Sequence, residues 1–325
     1  MNKIKSIGIL TSGGDSPGMN AAIRAVVRTA LYYDLKVYGI TRGYDGLVKG
    51  DIVEMGPKSV ANIIQRGGTI LKTARSQEFL TAEGRAKARE QLAKFEIDAL
   101  VAIGGDGTFT GAKIFMEEQD VPVIGIPGTI DNDLQGTDFT IGYDTAINTV
   151  VDAVDKIRDT AESHDRVFIV EVMGRDSGLI ALRSGIGIGA EAILIPEAKI
   201  DFTNMLNRMD NIRKNKSSRI IIVAEGDGEG GAFETAEKVK ERFPHYDVRV
   251  SILGHIQRGG KPSCMDRVLA SRLGVAAVEG LIAGKSGEMA GIICGDIAFT
   301  PFDNAIKHIH TVNPNLLKIA DILSL

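Results

Sequence analysis

The sequence IGILTSGGDSPGMN at residues 7–20 joins a short apolar run to a pair of glycines and then to a helical pattern. Further apolar runs lie at 99–103, 121–126, 167–172, 192–195, 220–224, 250–253 and 289–294. Continuous apolar residues are typical of strands buried on both faces, which occur in parallel sheets covered by helices. Helical patterns at 19–33, 81–95 and 145–161 lie between the runs. The sequence therefore predicts an α/β protein with open, doubly wound sheets.

Length and composition narrow the class of protein further. The chain has 325 residues, about twice the usual size of one domain, so we expect two domains. A formal net charge of -4 argues against bulk nucleic-acid binding. The two cysteines, Cys264 and Cys294, allow at most one disulfide, which favours a reducing, cytoplasmic location. No apolar run has the length of a signal peptide or of a membrane span.

Glycine-rich loops follow three of the predicted strands. In open α/β sheets, ligands bind beyond the carboxyl ends of the strands, where helix N-termini attract anions. Gly13 and Gly14 follow the first strand and would let the backbone approach a phosphate closely, although a glycine pair is equally typical of a tight turn. The loops IGGDGT at 103–108 and IPGTIDND at 126–133 follow two later strands.

Carboxylates stand in the second and third of these loops. Asp106 lies among three glycines, which suits a Mg²⁺ ion beside a polyphosphate, and the alternative is a helix cap. Asp131 and Asp133 are spaced i and i+2, so in an extended chain they point to one side. One of them could act as a base while the other helps to organise a metal. The alternative here is a polar turn, because Asp and Asn are ordinary turn formers.

Eight motifs, taken together, carry a family resemblance. In chain order they are TSGGDSPGMNAAIR, GGTILKTAR, IGGDGT, PGTIDND, DKIRDTAESH, EVMGR, VAEG and LGHIQRGG. From about Ile7 to Gly284 the chain resembles bacterial ATP-dependent 6-phosphofructokinases, and PGTIDND together with LGHIQRGG is far more specific than a single glycine motif. The last forty residues match loosely.

The resemblance implies two Rossmann-like, three-layer α/β/α domains with mainly parallel sheets. A larger ATP-binding domain would comprise 1–142 and 257–308, and a smaller fructose 6-phosphate-binding domain would comprise 143–256 and 309–325. No linker rich in proline or serine marks the boundary, and we expect a hinge near residue 142.

The resemblance also implies a reaction, in which the γ-phosphoryl group of ATP passes to the 1-hydroxyl of fructose 6-phosphate in glycolysis. Asp131 would take the hydroxyl proton, and Asp106 and Asp133 would organise Mg²⁺. The moving phosphoryl group would be contacted by Gly14, Arg75, Thr129 and Arg175. The ATP-binding positions would further include Tyr44, Ser76, Gly107, Thr108 and Gly111. An isolated arginine is usually a solvated surface residue, so Arg75 and Arg175 depend on their motifs for this role.

The sugar phosphate would need its own cationic site. The resemblance assigns the 6-phosphate to Arg166, Arg249, His255 and Arg258, and the sugar to Thr129, Asp131, Asp133, Met173, Gly174, Arg175 and Glu225. In the family the first two of these arginines reach in from a neighbouring subunit, which implies a homotetramer. A lone histidine is more often a structural hydrogen-bonding group, and the surrounding motif is what favours a ligand at 255.

A second anion site is suggested for an allosteric effector, ADP or phosphoenolpyruvate, at a subunit interface. Its residues would be Arg24, Arg28, Arg158, Glu191, Lys214 and Lys216, with the glutamate as a further Mg²⁺ ligand. A basic pair spaced i and i+4 is ordinarily a solvated helix face. Pro57 stands where some relatives have an arginine of this site, with Lys58 next to it.

Three alternatives stay open. In pyrophosphate-dependent relatives, bulkier residues fill the space of the α-phosphate where this chain has Gly107 and Gly128, so the two glycines favour ATP. A catalytically silent metabolite-binding subunit with the same fold should have lost Asp106, Asp131 or Arg175, yet all three are present. GGDGT also resembles NAD and lipid kinases, which have no counterpart of PGTIDND and LGHIQRGG.

Overall fold

The strands in the described part of the chain belong to two sheets, one in each of two units. The computed structural model describes residues 4–164, 166–198, 202–211, 219–226, 230–307 and 312–323. Unit 1 comprises Met1–Ile130, Leu134–Thr145 and Arg258–His308. Unit 2 comprises Asp131–Asp133, Ala146–Gln257 and Ile309–Leu325.

Strands and helices alternate along most of the described chain. The strands are β1 (Ser6–Thr11), β2 (Lys36–Ile40), β3 (Ile52–Glu54), β4 (Ala99–Gly104), β5 (Val123–Pro127), β6 (Arg166–Val172), β7 (Ala192–Leu194), β8 (Arg219–Ala224), β9 (Asp247–Ile252), β10 (Glu288–Ile293) and β11 (Asp296–Pro301). The helices are α1 (Met19–Tyr32), α2 (Gly43–Lys49), α3 (Ala82–Lys94), α4 (Asp106–Gln119), α5 (Tyr143–Glu162), α6 (Leu179–Ile188), α7 (Phe202–Asn211), α8 (Gly231–Arg242), α9 (Cys264–Ile282), α10 (Phe302–Ala305) and α11 (Pro314–Leu323). Among the described residues, no helix is both long and apolar enough to cross a membrane.

The unit 1 sheet has the strand order β11-β10-β5-β4-β1-β2-β3. The central strands are parallel, and the two edge strands β3 and β11 run antiparallel to their neighbours. Alternate side chains serve opposite faces. Ile7 and Ile9 of β1 pack in one core with α1 and α9, while Leu10 packs in the other with α2, α3 and α4. Both faces of β1 are therefore buried, which is why its sequence is continuously apolar from Ile7 to Leu10.

The unit 2 sheet has the order β7-β8-β6-β9, and its paired strands are parallel. One face packs against α7 and α8 through a core that includes Val167, Ile169 and Val239. The opposite face is covered by α6, where a Cβ added to Gly185 would lie 2.5 Å from Ile193. Unit 2 thus has helices on both faces of its sheet, as unit 1 does.

The predicted α/β class with mainly parallel sheets is confirmed, and each predicted apolar run overlaps a strand. β2, β3 and β11 were not predicted from the sequence, and β9 begins at Asp247, three residues before the predicted start at 250. β3, β9 and β11 lie at sheet edges, where one face is exposed and polar residues interrupt the apolar run, whereas β2 is an inner strand of five residues, KVYGI, whose first residue is an exposed lysine.

Candidate active site

The loops that follow β1, β4 and β5 meet at one edge of the unit 1 sheet. These strands are parallel neighbours, so their carboxyl ends lie at the same edge. The N–H of Ser12 donates to the carbonyl oxygen of Ile103 at 3.0 Å, and the N–H of Gly128 donates to that of Gly104 at 2.9 Å. The glycine-rich segments predicted from the sequence therefore lie side by side.

Two helices begin at this edge with glycine as the N-cap residue. α1 follows Gly18 and α4 follows Gly105, and neither glycine can supply a capping side chain. Asp106 is the first residue of α4 and is half-buried, with its carboxylate at the positive end of the helix dipole. Backbone N–H groups at such helix starts favour an oxyanion, so both starts suit the expected polyphosphate.

The side chains of Tyr44 and Thr108 are engaged inside unit 1. The Thr108 hydroxyl donates to the carbonyl oxygen of Ser12 at 3.1 Å, and the Tyr44 hydroxyl donates to the carbonyl oxygen of Thr108 at 2.7 Å. The Tyr44 ring stacks on Phe79 with centroids 4.1 Å apart, and a Cβ added to Gly111 would lie 3.1 Å from that ring. Burial raises the pKa of Tyr44 far above its usual range. Both side chains therefore support the start of α4.

The two glycines that favoured ATP face different surroundings. A Cβ added to Gly107 meets nothing within 4 Å, which agrees with open space beside the start of α4. A Cβ added to Gly128 would lie 3.0 Å from Ile103 and 3.1 Å from Met19, both core residues. The missing side chain of Gly128 therefore leaves room for these two core side chains, a packing role that the sequence did not indicate. Gly107 is the glycine whose surroundings support ATP as the donor.

Gly14 lies against the guanidinium of Arg258. A Cβ added to Gly14 would lie 2.4 Å from Nη1 of Arg258, which itself donates to the carbonyl oxygen of Asp15 at 3.4 Å. Glycine at this position therefore lets a cationic side chain reach the loop after β1. The structure brings together two residues that the sequence had assigned to different substrates.

The segment that carries Arg75 and Ser76 is tied to the same loop. The hydroxyl of Thr73 donates to the carbonyl oxygen of Gly13 at 2.7 Å. The Ser76 hydroxyl oxygen accepts from the N–H of Phe79 at 3.2 Å, so it caps the turn that follows. Arg75 is exposed. An exposed arginine next to the glycine loop suits the predicted contact with a phosphoryl group.

Asn20, which the sequence analysis did not single out, anchors the preceding part of this segment. Its amide nitrogen donates to the carbonyl oxygens of Arg66 and Gly67 at 3.1 Å each, and its amide oxygen accepts from the N–H of Ile70 at 2.7 Å. The side chain is 1% exposed. The available signal was an amide within a buried, otherwise apolar stretch of α1.

Thr129 is held by the chain that leads into α5. Its carbonyl oxygen accepts from the hydroxyl of Thr140 at 2.6 Å. Further on, the N–H groups of Gly142 and Thr145 each donate to the carboxylate of Asp266 at 2.8 Å. Asp266 is 1% exposed, and burial raises the pKa of its carboxyl group above the usual value, against the effect of these hydrogen bonds. The sequence analysis missed this buried acid.

In unit 2, Asp131 lies beside Arg175. Nε of Arg175 is 3.9 Å from Oδ2 of Asp131, and Asp131 is 3% exposed. Asp133 is also buried, at 7% exposure. We expected an extended chain that points both carboxylates to one side. The chain is not extended here, because Asn132 has a φ of 54° in the left-handed region, so that prediction was wrong.

Glu225 supports the backbone of the EVMGR motif. Its Oε1 accepts from the N–H of Gly174 at 3.2 Å and from the N–H of Arg175 at 2.7 Å. Gly174 has a φ of 147° and Arg175 a φ of 53°. A Cβ added to Gly226 would lie 2.0 Å from the carbonyl oxygen of Arg175, so the chain after Glu225 requires glycine. A residue expected beside the sugar therefore also orients the arginine.

Gln257 links this motif to LGHIQRGG. The N–H of Met173 donates to Oε1 of Gln257 at 3.2 Å, and Nε2 of Gln257 donates to the carbonyl oxygen of Gly254 at 3.0 Å. Gln257 is fully buried, whereas His255 is exposed. The motif thus has a structural member, Gln257, to which the sequence analysis assigned no role.

Arg166 and Arg249 lie towards the other end of the unit 2 sheet. Arg166 is the first residue of β6, while Met173 follows the last residue, Val172. Val172 is six residue steps along the strand from Arg166, roughly 20 Å at 3.3 Å per residue. Within one chain, Arg166 therefore does not meet the loop that holds Met173 and Arg175.

Two of the predicted effector residues in unit 2 already bind the backbone. Nη2 of Arg158 donates to the carbonyl oxygen of Ile188 at 2.5 Å. The carboxylate of Glu191 accepts from the N–H of Ile220 at 2.5 Å, and Glu191 is 7% exposed. The carboxylate of Glu191 thus supports the pairing of the chain before β7 with β8, and its predicted role as a Mg²⁺ ligand stays a prediction.

The remaining predicted effector residues are spread over the chain. Arg24 is half-buried and Arg28 is exposed on α1 of unit 1. Pro57 begins a short 3₁₀ helix, Pro57–Val60, in which Lys58 is exposed. Lys214 and Lys216 lie outside the described residues.

The donor set fits a Mg²⁺ ion that arrives with a nucleotide. Within the described ranges, no group of three or more His, Cys, Asp or Glu residues could hold a metal ion. Mg²⁺ in phosphoryl-transfer sites takes only one or two carboxylates, and phosphate oxygens and waters supply the rest. Asp106, a hard oxygen ligand at the start of α4, fits that requirement.

Comparison with known proteins gives the same family as the motifs. A family model described as Phosphofructokinase matches residues 6–281. The chain is 56% identical over 322 residues to the ATP-dependent 6-phosphofructokinase of Cytophaga hutchinsonii, covering 99% of this chain and 98% of that protein. It is 57% identical over 326 residues to ATP-dependent 6-phosphofructokinase 2 of Bacteroides thetaiotaomicron, covering 100% of both chains.

Solved structures share the fold. Phosphofructokinase from Saccharomyces cerevisiae aligns with a TM-score of 0.87 at 36% identity, covering 98% of this chain and 47% of that one. A pyrophosphate-dependent phosphofructokinase from Marinobacter aquaeolei aligns with a TM-score of 0.84 at 24% identity, covering 98% and 91%, which shows the fold alone. The family model spans most of the sequence, and the relatives are more than half identical from end to end. The chain belongs to the phosphofructokinase family.

Proposed function

We propose that this chain is an ATP-dependent 6-phosphofructokinase, a kinase of glycolysis. It transfers the γ-phosphoryl group of ATP to the 1-hydroxyl of D-fructose 6-phosphate and forms fructose 1,6-bisphosphate and ADP. Relatives with this name are 56% and 57% identical over almost the whole chain. The structural observation that carries the proposal is the buried carboxylate of Asp131 with the guanidinium of Arg175 at 3.9 Å.

Asp131 is the proposed base. As the 1-hydroxyl oxygen bonds to the γ-phosphorus, its proton passes to the Asp131 carboxylate, and the broken phosphorus–oxygen bond leaves its electron pair on ADP. A well-placed base contributes a factor of about 10² to 10⁴ to the rate. Arg175 donates its planar pair of N–H groups to the moving phosphoryl group. Gly14, Arg75 and Thr129 are proposed to contact the same group.

ATP binding is assigned to unit 1 and fructose 6-phosphate binding to unit 2. The helix starts and glycine loops of unit 1 supply N–H groups for a polyphosphate. Asp106 would hold Mg²⁺, with Asp133 as the second organising carboxylate. Bound Mg²⁺ neutralises charge on the phosphate oxygens. The open space beside Gly107 supports ATP over pyrophosphate, because a nucleoside and an α-phosphate need room that pyrophosphate does not.

The sugar phosphate is proposed to bind residues from two copies of the chain. Met173 and Glu225 follow the carboxyl ends of β6 and β8, whereas Arg166 begins β6. This separation supports a site to which a neighbouring subunit contributes Arg166 and Arg249, and hence the expected homotetramer. Effector binding of ADP or phosphoenolpyruvate is proposed for Arg24, Arg28, Arg158, Lys214 and Lys216.

Initial velocities measured against fructose 6-phosphate, with ATP or pyrophosphate as the donor, test the proposal. We expect ADP and fructose 1,6-bisphosphate to form with ATP and no product to form with pyrophosphate. Product formation from pyrophosphate alone would establish the pyrophosphate-dependent alternative. Binding of fructose 6-phosphate without turnover by either donor would establish a silent metabolite-binding subunit. Repeating the assay with ADP and phosphoenolpyruvate present tests the effector site.

A further inference from the structure

Asp247 bonds both of the arginines that are assigned to the sugar phosphate. Nε of Arg166 donates to Oδ2 of Asp247 at 2.8 Å. Nε of Arg249 lies 3.0 Å from Oδ1 of the same carboxylate, and Nη2 of Arg249 donates to Oδ2 at 3.1 Å. One carboxylate therefore joins the two guanidinium groups, and no motif of the family resemblance includes it.

The sheet produces this arrangement from the sequence. Arg166 pairs with Asp247 in the parallel register of β6 and β9, and Phe168 pairs with Arg249. Asp247 and Arg249 are two residues apart on β9, so their side chains lie on the same face. β9 is an edge strand of the unit 2 sheet. Two cations from neighbouring strands are thus brought to one surface with an acid between them.

The bonding pattern leaves this surface able to take an oxyanion. The three side chains carry a formal charge of +1 together. The hydrogen bonds to Asp247 use Nε of Arg166 and Nη2 of Arg249, and Nε of Arg249 forms an ion-pair contact with the same carboxylate. The guanidinium planes are thereby fixed, and the terminal nitrogens of Arg166 and Nη1 of Arg249 are not part of these bonds. The arginines lower the pKa of Asp247, first through the hydrogen bond from Arg166, so the acid stays ionised at neutral pH.

We propose that Asp247 is a positioning residue that holds Arg166 and Arg249 together as one binding group for the phosphate of the sugar substrate. The inference rests on the proposed function, because it takes the two arginines as phosphate ligands. Asp247 itself does not touch the substrate.

Two opposing effects of Asp247 decide the direction of the expected change. Its negative charge repels a phosphate, so removing it would strengthen binding if charge alone mattered. Its hydrogen bonds also hold two like charges close together and fix long side chains that otherwise occupy many rotamers. The three nitrogen–oxygen distances between the arginines and Asp247 are 2.8 to 3.1 Å. Because these contacts are close, we expect the loss of the fixed arginine positions to outweigh the loss of the repulsion.

Steady-state kinetics of Asp247→Asn test the proposal in the full-length protein. We expect the KM for fructose 6-phosphate to rise about tenfold, equivalent to about 1.4 kcal/mol. The kcat and the KM for ATP should stay within about twofold of the wild-type values. Asp247→Glu keeps the charge and should restore most of the affinity. Asp152→Asn, which removes an exposed ion pair with Lys156 in the same unit, is the matched control.

A double-mutant cycle separates positioning from a general structural effect. In the Arg166→Ala, Arg249→Ala background, adding Asp247→Asn should change the KM for fructose 6-phosphate by less than about twofold, because the residues through which Asp247 acts are gone. If Asp247→Asn does not fold, Asp247→Ala replaces it in the cycle and is judged by the same criterion.

An unchanged or lower KM for fructose 6-phosphate in Asp247→Asn would overturn the inference. Additive effects in the double-mutant cycle would also overturn it, and so would the failure of both Asp247→Asn and Asp247→Ala to fold. A wild-type protein that does not phosphorylate fructose 6-phosphate would instead reject the proposed function. An active wild type with an unaltered Asp247→Asn variant would reject this inference alone.

Discussion

The carboxylate of Glu225 accepts a hydrogen bond from the backbone N–H of Arg175 at 2.7 Å. Arg175 has a φ of 53°, a conformation that costs a non-glycine residue roughly 1–2 kcal/mol. The bond therefore stabilises a strained turn from which the guanidinium of Arg175 reaches to within 3.9 Å of Asp131. In this arrangement a residue assigned to sugar binding also determines where the arginine of phosphoryl transfer lies.

Replacing Glu225 should weaken catalysis more than folding. In Glu225→Ala the N–H groups of Gly174 and Arg175 lose a charged acceptor, a contact of about 1.5–3 kcal/mol. We expect kcat/KM for fructose 6-phosphate to fall by about 10- to 100-fold. The thermal midpoint should change by only a few degrees, because Glu225 is exposed and water can replace the carboxylate.

Glu234→Ala in α8 is the matched control, since Glu234 forms an exposed ion pair with Lys238 in the same unit. Its kcat/KM should equal that of the wild type. Loss of thermal stability in Glu225→Ala in proportion to the loss of activity would contradict a positioning role.

Asp131→Ser should abolish most of the turnover. The change removes the proposed base, so we expect kcat to fall by a factor of about 10² to 10⁴. Fructose 6-phosphate binding, measured by calorimetry, should persist, and the circular dichroism spectrum should match the wild type. Unaltered turnover in this variant would reject Asp131 as the base.

The strands that carry the site could be predicted because they are buried on both faces. β4 is continuously apolar, β1 is apolar from Ile7 to Leu10, and β6 is apolar apart from Arg166 and Glu171; the loops after these strands contain the motifs. The edge strands β3 and β11 could not be predicted in this way, since one face of an edge strand meets water and its sequence is mixed. The inner strand β2, which begins with an exposed lysine, was missed as well, so a continuous apolar run is a sufficient signal for a strand but not a necessary one.

Within the candidate site, the sequence identified which residues belong together but not how each one acts. Gly128 was assigned to the nucleotide, and the structure shows that it makes room for Met19 and Ile103. Which neighbours occupy the space beside a glycine depends on the packing of the folded chain, and no local sequence pattern reveals it. The buried acid Asp266 did leave a signal, a charged residue on the apolar face of α9 that includes Leu269.

Gly107→Ala and Gly128→Ala should have opposite consequences. Gly107 is in the first turn of α4 at a negative φ with open space around it, so alanine should leave stability equal or raise it by up to about 1 kcal/mol. The KM for ATP should rise, because the added methyl group enters space assigned to the nucleotide.

Gly128→Ala should lower the thermal midpoint, since its Cβ meets two core residues at 3.0 and 3.1 Å. Thermal unfolding and ATP kinetics of both variants check this contrast, and a raised KM for ATP without destabilisation in Gly128→Ala would contradict it.

Asp266 should give the protein a specific pH dependence of stability. Burial raises the pKa of this carboxyl group in the folded protein above its value of about 3.9 in an unfolded chain. The folded state therefore holds the proton more tightly, and the contribution of Asp266 to stability declines as pH rises through the interval between these two values. Asp266→Asn removes this titration. It also places an amide next to the N–H donors of Gly142 and Thr145, which should lower the free energy of unfolding by about 1–3 kcal/mol.

Thermal midpoints of the wild type and Asp266→Asn, measured from pH 4 to pH 8, test the sign of this effect. The wild type should be more stable than the variant, and its advantage should shrink as pH rises. The difference between the two proteins isolates Asp266, because every other titrating group is common to both. An advantage that grows with pH would mean that the hydrogen bonds from Gly142 and Thr145 outweigh the burial of the charge, and that the carboxylate is the form that holds the start of α5 in place.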